Sequence, residues 1–382
     1  MTFPLIGVVG GGQLARMMLP EANHLGYRIS VLAEGTDVST ALAAPESPVG
    51  DYKDLETLRA FAAGKAVVTF DHEHVPTEHL HALLAEGVNV QPVPEALIYA
   101  QDKLEMRKKI EELGLPNPRW REVHSVEELS AFGHEIGFPV ILKTPRGGYD
   151  GKGVAFVNND DDAAALSSWF TGSALLAEEK VNFTRELSAL VARRPSGDAR
   201  AWPVVHTIQV DGVCDEVIAP AQELPEETVE AAQEAALSIA HALGVTGVMA
   251  AELFETPGVG PGFMINELAM RPHNTGHWTQ NGSVTNQFEQ HLRAVLDLPL
   301  GTTDVIAPVS VMKNILGGSN PNLHNALPAA LDIDSGAKVH LYGKGVKPGR
   351  KIGHINVIGG RDENIEHVRA RAAAVASALR DA

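Results

Sequence analysis

Residues Val140 to Val157 read VILKTPRGGYDGKGVAFV, and the reading of this stretch decides the architecture. Two runs rich in β-branched residues flank a turn that holds Gly147, Gly148, Gly151 and Gly153, with Lys143 inside the first run and Asp150 and Lys152 inside the turn. The runs predict a hairpin. Glycine tolerates positive φ and lets backbone N–H groups approach anionic oxygens with no Cβ in the way. With Lys143 as a fixed positive charge, the tip is suited to fold over a phosphate chain. A Walker A loop would carry Gly, four residues and Gly-Lys-Ser/Thr ahead of a helix. Here Gly153 and Val154 follow Lys152 and a strand continues, so this is a different phosphate motif or an ordinary surface hairpin.

The rest of the composition narrows the classes. A chain of 382 residues has material for two or three domains and an ample core. Its formal net charge of -17 argues against a nucleic acid or an anionic membrane as the main partner, because either favours a basic face. Cys214 is the only cysteine, which excludes an intramolecular disulfide; on a strand after an Asp211-Gly212 turn it reads as structural. The start, MTFPLIGVVGGG, lacks the basic and long apolar regions of a signal peptide, and no apolar run is long enough to span a bilayer. A cytoplasmic protein is expected.

Leu5 to Val9 is a short buried-strand run, followed by Gly10-Gly11-Gly12 and by QLARMMLPEANHLG, whose apolar residues recur at helical spacing. With the strand YRISVLAE ending at Glu34, the segment imitates a dinucleotide fingerprint with an acid about 20 positions on. What it states more generally is that the helix N-terminus after Gly12 offers free N–H groups to a phosphate. Strands and helices alternate through AVVTFDHEHVP and VNVQPVPEAL, which predicts a small parallel sheet over the first hundred residues. Glu73 follows the strand Val67 to Phe70, at the edge where such sheets bind ligands. His72 and His74 beside it read as a solvated loop.

From Gln101 the pattern changes. QDKLEMRKKIEELG predicts a helix ending at Gly114, Ser125 and Glu128 form a capping box for another that ends near Gly137-Phe138-Pro139, and AAALSSWF and ALLAEEKV add a helix and a strand around the hairpin. This unit reads as a lid. RELSALVARR and AWPVVHTIQV then alternate in period two across a PSGDA turn, a helix covers PEETVEAAQEAALSIAHALG, and the strands GVMAAELFET and GFMINELAM flank PGVGPG. Glu252 and Glu267 on these strands can point to one place, with Asn266 beside them. Adjacent carboxylates in apolar strands repel unless protonated or neutralised, so they read as oxygen ligands for Mg²⁺ held against phosphates; two exposed edge glutamates are the plain alternative. Arg271, His273 and Asn274 follow directly and suit an anionic or polar substrate. Zinc on His273 and His277 lacks a clear third ligand. Near the end, VHLYGKGVKPGRKIGHINVIG predicts a hairpin whose turn gathers Lys344, Lys347, Arg350 and Lys351, either a phosphate clamp or a solvated basic turn.

Taken together, GGGQLARM, TFDHEHVP, QDK, LKTPRGGYDGKG, EEKVNFTRELS, MAAELF, INELAMRPHNTGHWTQNG, FEQHLRA and GKGVKPGRKIGHINV resemble the ATP-grasp ligases. Within them the chain is similar to the ATP-dependent N5-carboxyaminoimidazole ribonucleotide synthetases of purine biosynthesis, over nearly its whole length. The resemblance implies a mixed α/β and α+β ATP-grasp fold: a parallel-sheet pre-ATP-grasp domain at 1–100, a lid at 101–177 and an antiparallel-sheet domain at 178–382. It implies ATP between lid and last domain, against Lys103, Lys143, the loop of Gly148, Tyr149, Asp150, Gly151, Lys152 and Gly153, and Glu178, Glu179, Lys180, Val181, Glu186, His206, Asn266 and Glu267. Glu252 and Glu267 would hold Mg²⁺, with Mn²⁺ as a substitute. The implied reaction makes carboxyphosphate from bicarbonate and carboxylates 5-aminoimidazole ribonucleotide, with Asp150, Lys152, Arg271 and His273 in the chemistry. Gly12, Gln13, Leu14, Glu73, Tyr149, Asn274, Lys344, Arg350 and Lys351 would hold the ribotide. A homodimer, and a mutase that takes the product onward, are also implied. Three rivals stand beside it: an ATP-grasp ligase with another acceptor, a nicotinamide-dependent oxidoreductase built on GGGQLA and Glu34, and a non-catalytic nucleotide sensor.

Overall fold

The computed structural model describes residues 3–147 and 153–381. At the N-terminus β1 (Leu5–Val9) leads through the glycines into α1 (Gln13–His24), followed by β2 (Arg28–Leu32), α2 (Leu55–Ala62), β3 (Val67–Phe70), α3 (Thr77–Ala85) and α4 (Pro94–Gln101). The strands are parallel in the order β2-β1-β3, and short parallel bridges at Glu46, Val49 and Val90 widen the sheet. All of β3 and nearly all of β1 are buried, as expected of parallel strands covered on both faces.

The next unit comprises α5 (Lys103–Glu112), β4 (Trp120–Val123), α6 (Val126–Ile136), β5 (Val140–Lys143), β6 (Val154–Val157), α7 (Asp160–Ala165) and β7 (Leu175–Glu179). Its strands are antiparallel in the order β4-β7-β5-β6. The expected hairpin forms: Val140 pairs with Val157 and Lys143 with Val154, and Thr144 N–H donates to Gly153 O at 2.9 Å. The turn residues 148–152 lie outside the described residues. Ser125 caps α6 by accepting from Glu128 N–H at 3.3 Å, while the Glu128 carboxylate accepts from His124 N–H at 2.7 Å, one residue before the cap. The helix expected over 163–170 instead starts at Asp160. Asn159 accepts from Asp162 N–H at 3.0 Å, and three aspartates in the first turn suit the positive end of the helix dipole.

The remaining chain forms β8 (Glu186–Arg193), β9 (Ala199–Ala201), β10 (Val205–Val210), β11 (Val213–Ala219), α8 (Glu226–Ala242), β12 (Gly247–Glu255), β13 (Phe263–Ala269), α9 (Thr279–Gly282), α10 (Gln287–Val295), β14 (Val309–Leu316), α11 (Leu323–Ile333), β15 (Lys338–Leu341), β16 (Lys351–Gly359) and α12 (Ile365–Asp381). Among the described residues these strands make one sheet in the order β13-β12-β8-β10-β11-β14-β16-β15, with β9 beside β8. The single strand expected over 201–210 is broken. Pro203 has no N–H for the ladder, so β9 and β10 pair with β8 separately.

Period-two alternation gives this sheet two faces. Leu187, Ala189, Val191, Met249, Ala251 and Leu253 join a core with α5, α8 and the N-terminal sheet, whereas Leu190, Ala192, Val248 and Ala250 pack with Trp202 and Trp278 on the other side. Met17 and Met18 of α1 pack against Phe288, Leu292 and Val295 of α10. The buried His291 ties the two sheets: its Nδ1 accepts from Val248 N–H at 3.1 Å, which leaves its proton on Nε2, 2.9 Å from Thr69 Oγ1 on β3. No helix among the described residues is long and apolar enough to cross a membrane.

A column of aromatic side chains stands between the 274–282 segment and β15 and β16. His277 stacks on His354 at 4.8 Å between centroids and His340 stacks on His354 at 4.5 Å. Burial lowers the proton affinity of all three, with mutual repulsion adding for His277 and His354, and His340 is brought down to about 4. The unfolded chain therefore binds protons below pH ~6.5 that the native column refuses, so stability is complete above that value and lost as pH falls toward 4. His354→Phe is expected to flatten this loss between pH 6.5 and 4.5 in urea titrations; an unchanged slope would assign the acid sensitivity elsewhere.

Candidate active site

Beyond Ala250 the apolar face turns acidic. Glu252 on β12 lies opposite Glu267 on β13 and opposite Ser188 on β8, and Glu186 follows two residues earlier on β8. Directly opposed residues share a face, so Glu186, Glu252 and Glu267 converge. Burial first, and then the charges of Glu267 and Glu186, push the Glu252 carboxyl up to about 8; burial also raises Glu186. Between Ile265 and Glu267 the register slips by one residue, a bulge that re-aims Asn266. Among the described residues no set of three or more His, Cys, Asp or Glu makes a closed metal cage. Two facing carboxylates, of which Glu252 has a raised proton affinity, instead fit a divalent cation that keeps open positions for phosphate oxygens. Lys103 Nζ lies 2.9 Å from Glu267 Oε1 and neutralises that side.

Helix α5, which carries Lys103, starts at Asp102, whose carboxylate accepts from Leu104 and Glu105 N–H. One turn on, Arg107 is fully buried. Its Nε donates to Glu178 on β7, Nη1 to Ile265 O at 2.8 Å and Asn117 Oδ1 at 3.0 Å, and Nη2 to Asn266 O at 2.7 Å. The other Glu178 oxygen takes Lys143 Nζ at 2.5 Å, and that ammonium also reaches Asn266 Oδ1 at 3.5 Å. Burial would raise Glu178, but Arg107 and then Lys143 hold it down at about 2. Sequence reading missed Arg107 because KLEMRKKIEE looks solvated. Its signal was position: three residues after Leu104 and three before Ile110, Arg107 lies in the apolar stripe.

The loop after β13 connects this cluster with the N-terminal sheet. Arg271 Nε donates to Glu73 Oε2 at 2.6 Å and Met270 N–H to Glu73 Oε1 at 3.1 Å, so Glu73 orients Arg271 from across the junction. His273 Nε2 stands 3.4 Å from Glu252 Oε1 and its Nδ1 is 3.0 Å from Thr275 Oγ1. Burial, then Arg271 and Lys351, keep its imidazole neutral. Asn274 Oδ1 meets Asn314 Nδ2 at 3.3 Å, while its own Nδ2 is buried with no acceptor among the described residues.

At the carboxyl edge of the N-terminal sheet, Lys344 Nζ donates to Gln13 Oε1, which joins the basic turn to the start of α1. The N-terminus of α1 is not wholly free, however. Asp71 Oδ1 accepts from Ala15 N–H at 2.7 Å, and a Cβ on Gly12 would come within 1.9 Å of Asp71 Oδ2, so this carboxylate dictates the glycine. Leu14 is buried in the core around α1. Glu34 also departs from the dinucleotide reading: it accepts from Gly11 N–H at 3.0 Å and lies 3.5 Å from His72, which packs on Tyr52 rather than standing in water. Arg350 and Lys347 are exposed, and Lys351 begins β16.

On the four-stranded sheet, Glu179 points away from Glu178 into a two-oxygen contact with Arg119, both bonds 2.8 Å. Lys180 and Val181 line a cleft of about 430 Å³ with Phe138, Pro139 and Met264. The ladder sets His206 opposite Leu187, one step out of phase with Glu186, and its proton affinity falls through burial and then through Arg185 and Arg369, with Glu255 acting in the opposite sense. The described contacts therefore do not join it to the acidic cluster. Gly148, Tyr149, Asp150, Gly151 and Lys152 lie outside the described residues, and Gly153 closes the hairpin. Because Glu252 holds its proton more tightly folded than unfolded, its stabilising effect is complete at low pH and lost as pH rises toward 8. Glu252→Gln without divalent ions is thus expected to raise Tm at pH 8 by roughly 1–3 °C over the parent and not at pH 5; calorimetry showing the same offset at both values would reject the repulsion.

Known proteins match the chain throughout. Residues 3–101 match the ribonucleotide synthetase preATP-grasp domain, 108–288 the ATP-grasp domain and 310–368 the phosphoribosylaminoimidazole carboxylase C-terminal domain. The N5-carboxyaminoimidazole ribonucleotide synthase of Mycobacterium tuberculosis H37Rv is 50% identical over 365 residues, covering 93% of this chain and 84% of its own. The crystal structure of N5-carboxyaminoimidazole ribonucleotide synthetase from Thermus thermophilus superposes with a TM-score of 0.87 at 35% identity, covering 99% of each chain. That of N5-carboxyaminoimidazole synthase from Aspergillus clavatus, in complex with ADP and 5-aminoimidazole ribonucleotide, gives 0.87 at 32% identity, again covering 99% of each. The chain belongs to the N5-carboxyaminoimidazole ribonucleotide synthase family of ATP-grasp ligases.

Proposed function

We propose that the chain carboxylates 5-aminoimidazole ribonucleotide to N5-carboxyaminoimidazole ribonucleotide in purine biosynthesis, at the expense of ATP and bicarbonate. The observation that supports this is a connected set of charges: Glu186 and Glu267 raise the proton affinity of Glu252 while Lys351 and Arg271 lower it, and Arg271 and Lys344 lower that of Asp71 in the same way. In this reading a nucleotide site and an anionic acceptor site share these groups.

In this reading bicarbonate oxygen attacks the γ-phosphorus of ATP, ADP leaves, and the resulting carboxyphosphate yields CO₂ and phosphate. The amine of the ribotide attacks CO₂ and gives up a proton. Lys103 and Lys143 would offset the phosphate charge as it redistributes. Glu252 and Glu267 would hold Mg²⁺, or Mn²⁺, which supplies charge neutralisation on the phosphates when bound. Arg271, held by Glu73, and the neutral His273 would bind the oxygens of the carboxyphosphate. Asp150 would accept the amine proton and Lys152 stabilise the carboxylate formed. Lys344, Lys351, Arg350 and Gln13, with the N–H groups after Gly12 that Asp71 leaves open, would take the ribotide phosphate. Closure of a lid at 101–177 over a domain at 178–382 would exclude the water that destroys an acyl phosphate. A cytoplasmic homodimer whose product passes to a mutase completes the proposal.

ADP release with Mg²⁺, ATP and bicarbonate is expected to rise strongly when 5-aminoimidazole ribonucleotide is added; ATP binding without that stimulation would overturn the acceptor. Lys344→Ala should raise KM for the ribotide roughly tenfold or more and leave KM for ATP unchanged. Asp150→Asn should bind ATP normally and lose most coupled turnover, and full carboxylation by this variant would remove the role given to Asp150.

A further inference from the structure

The Glu178 carboxylate is almost completely buried and each of its oxygens meets a different cation. The two cations differ in how firmly they are held. Arg107 is shut off from solvent, and besides Glu178 its guanidinium is fastened to two backbone carbonyls on β13 and to Asn117. Lys143 sits at the end of β5 beside the glycine turn, keeps 14% of its side chain exposed, and among the described residues has only the 3.5 Å contact to Asn266 as a second bond. A guanidinium bound through its fork is fixed in place, whereas an ammonium on a four-carbon stem can turn to another anion.

We propose that Arg107 is a positioning residue for nucleotide binding: it satisfies Glu178 on its own, so that Lys143 is released to the phosphates of ATP. The proposal rests on the reading above, in which Lys143 and Glu178 border the nucleotide. Its physical basis is the cost of a buried carboxylate without a partner, which is severe. With Arg107 present, Lys143 leaves Glu178 still paired. Without Arg107, Lys143 becomes the sole counter-charge and is retained. Arg107 also takes both carbonyls at the Asn266 bulge, and Lys103, one turn earlier on α5, contacts Glu267. One helix thus sets the lid acid and the metal-strand acid at a fixed separation.

A double-mutant cycle on KM for ATP tests this. Arg107→Met in the parent should raise KM about tenfold or more with kcat changed less than about threefold, because Lys143 is sequestered. In a Glu178→Gln background, where no buried carboxylate competes for Lys143, the same replacement should raise KM by less than about threefold. An equal factor in both backgrounds, or no change in either, would overturn the proposal, since a merely bracing arginine is missed equally with or without the carboxylate. Should Arg107→Met fail to fold, Arg107→Lys, which keeps the charge but loses the fork, enters the same cycle with a smaller rise expected in the parent only. Lys143→Ala and Glu178→Gln separate this from the underlying reading: if neither alters KM for ATP, the nucleotide site itself is misplaced.

Discussion

A charge withdrawn from water must find a partner, and around this site the pairings that meet that demand cross from one sheet to another. Lys103 on α5 reaches Glu267 on the large sheet, Arg107 joins strand β7 of the four-stranded sheet to the backbone of β13, and Glu73 at the edge of the N-terminal sheet holds Arg271. Hydrophobic cores stabilise each unit, but they are tolerant of small sliding. Bidentate and backbone-anchored contacts are not. The N-terminal and large sheets share a hydrophobic core, and a handful of charged groups that border the candidate site fix the final alignment of the sheets.

The exception to pairing is as informative as the rule. Glu186, Glu252 and Glu267 are brought together on one face, and Glu252 has a raised proton affinity even though Lys351 and Arg271 act in the opposite sense. In a core this arrangement would be selected against. Here the Glu252 and Glu267 side chains keep 30% and 42% of their surface exposed, and the repulsion between them suits the arrival of a divalent cation.

What could be read from the sequence follows the range of the interactions involved. The hairpin of β5 and β6, the cap at Ser125 and the facing of Glu252 and Glu267 depend on period-two alternation and neighbours a few residues apart, and the structure shows them as expected. Arg107, Asp71 and Glu34 depend on partners 71, 56 and 23 residues away, and no local pattern announces such contacts. Arg107 in particular sits in a helix crowded with exposed charges, where only its place in the apolar stripe set it apart. The break at Pro203 was locally encoded, and the alternation on either side of it concealed a rule that proline always imposes. The insertion of β14 between β11 and β16 belongs to topology, and a strand's alternation says nothing about which neighbour it will choose.

The carboxylate of Asp71 leaves no room for a side chain at position 12, since a Cβ there would overlap Oδ2. The two positions are therefore a single unit of inheritance. A lineage that kept the acid could not replace the glycine, and one that lost the acid would be freed to do so, although by then the first turn of α1 would have lost the anion that caps Ala15. Drift at either site alone leads downhill, so the pair can change only by passing through a weaker protein, and an ancestral choice made there would be frozen long after the surrounding surface had diverged.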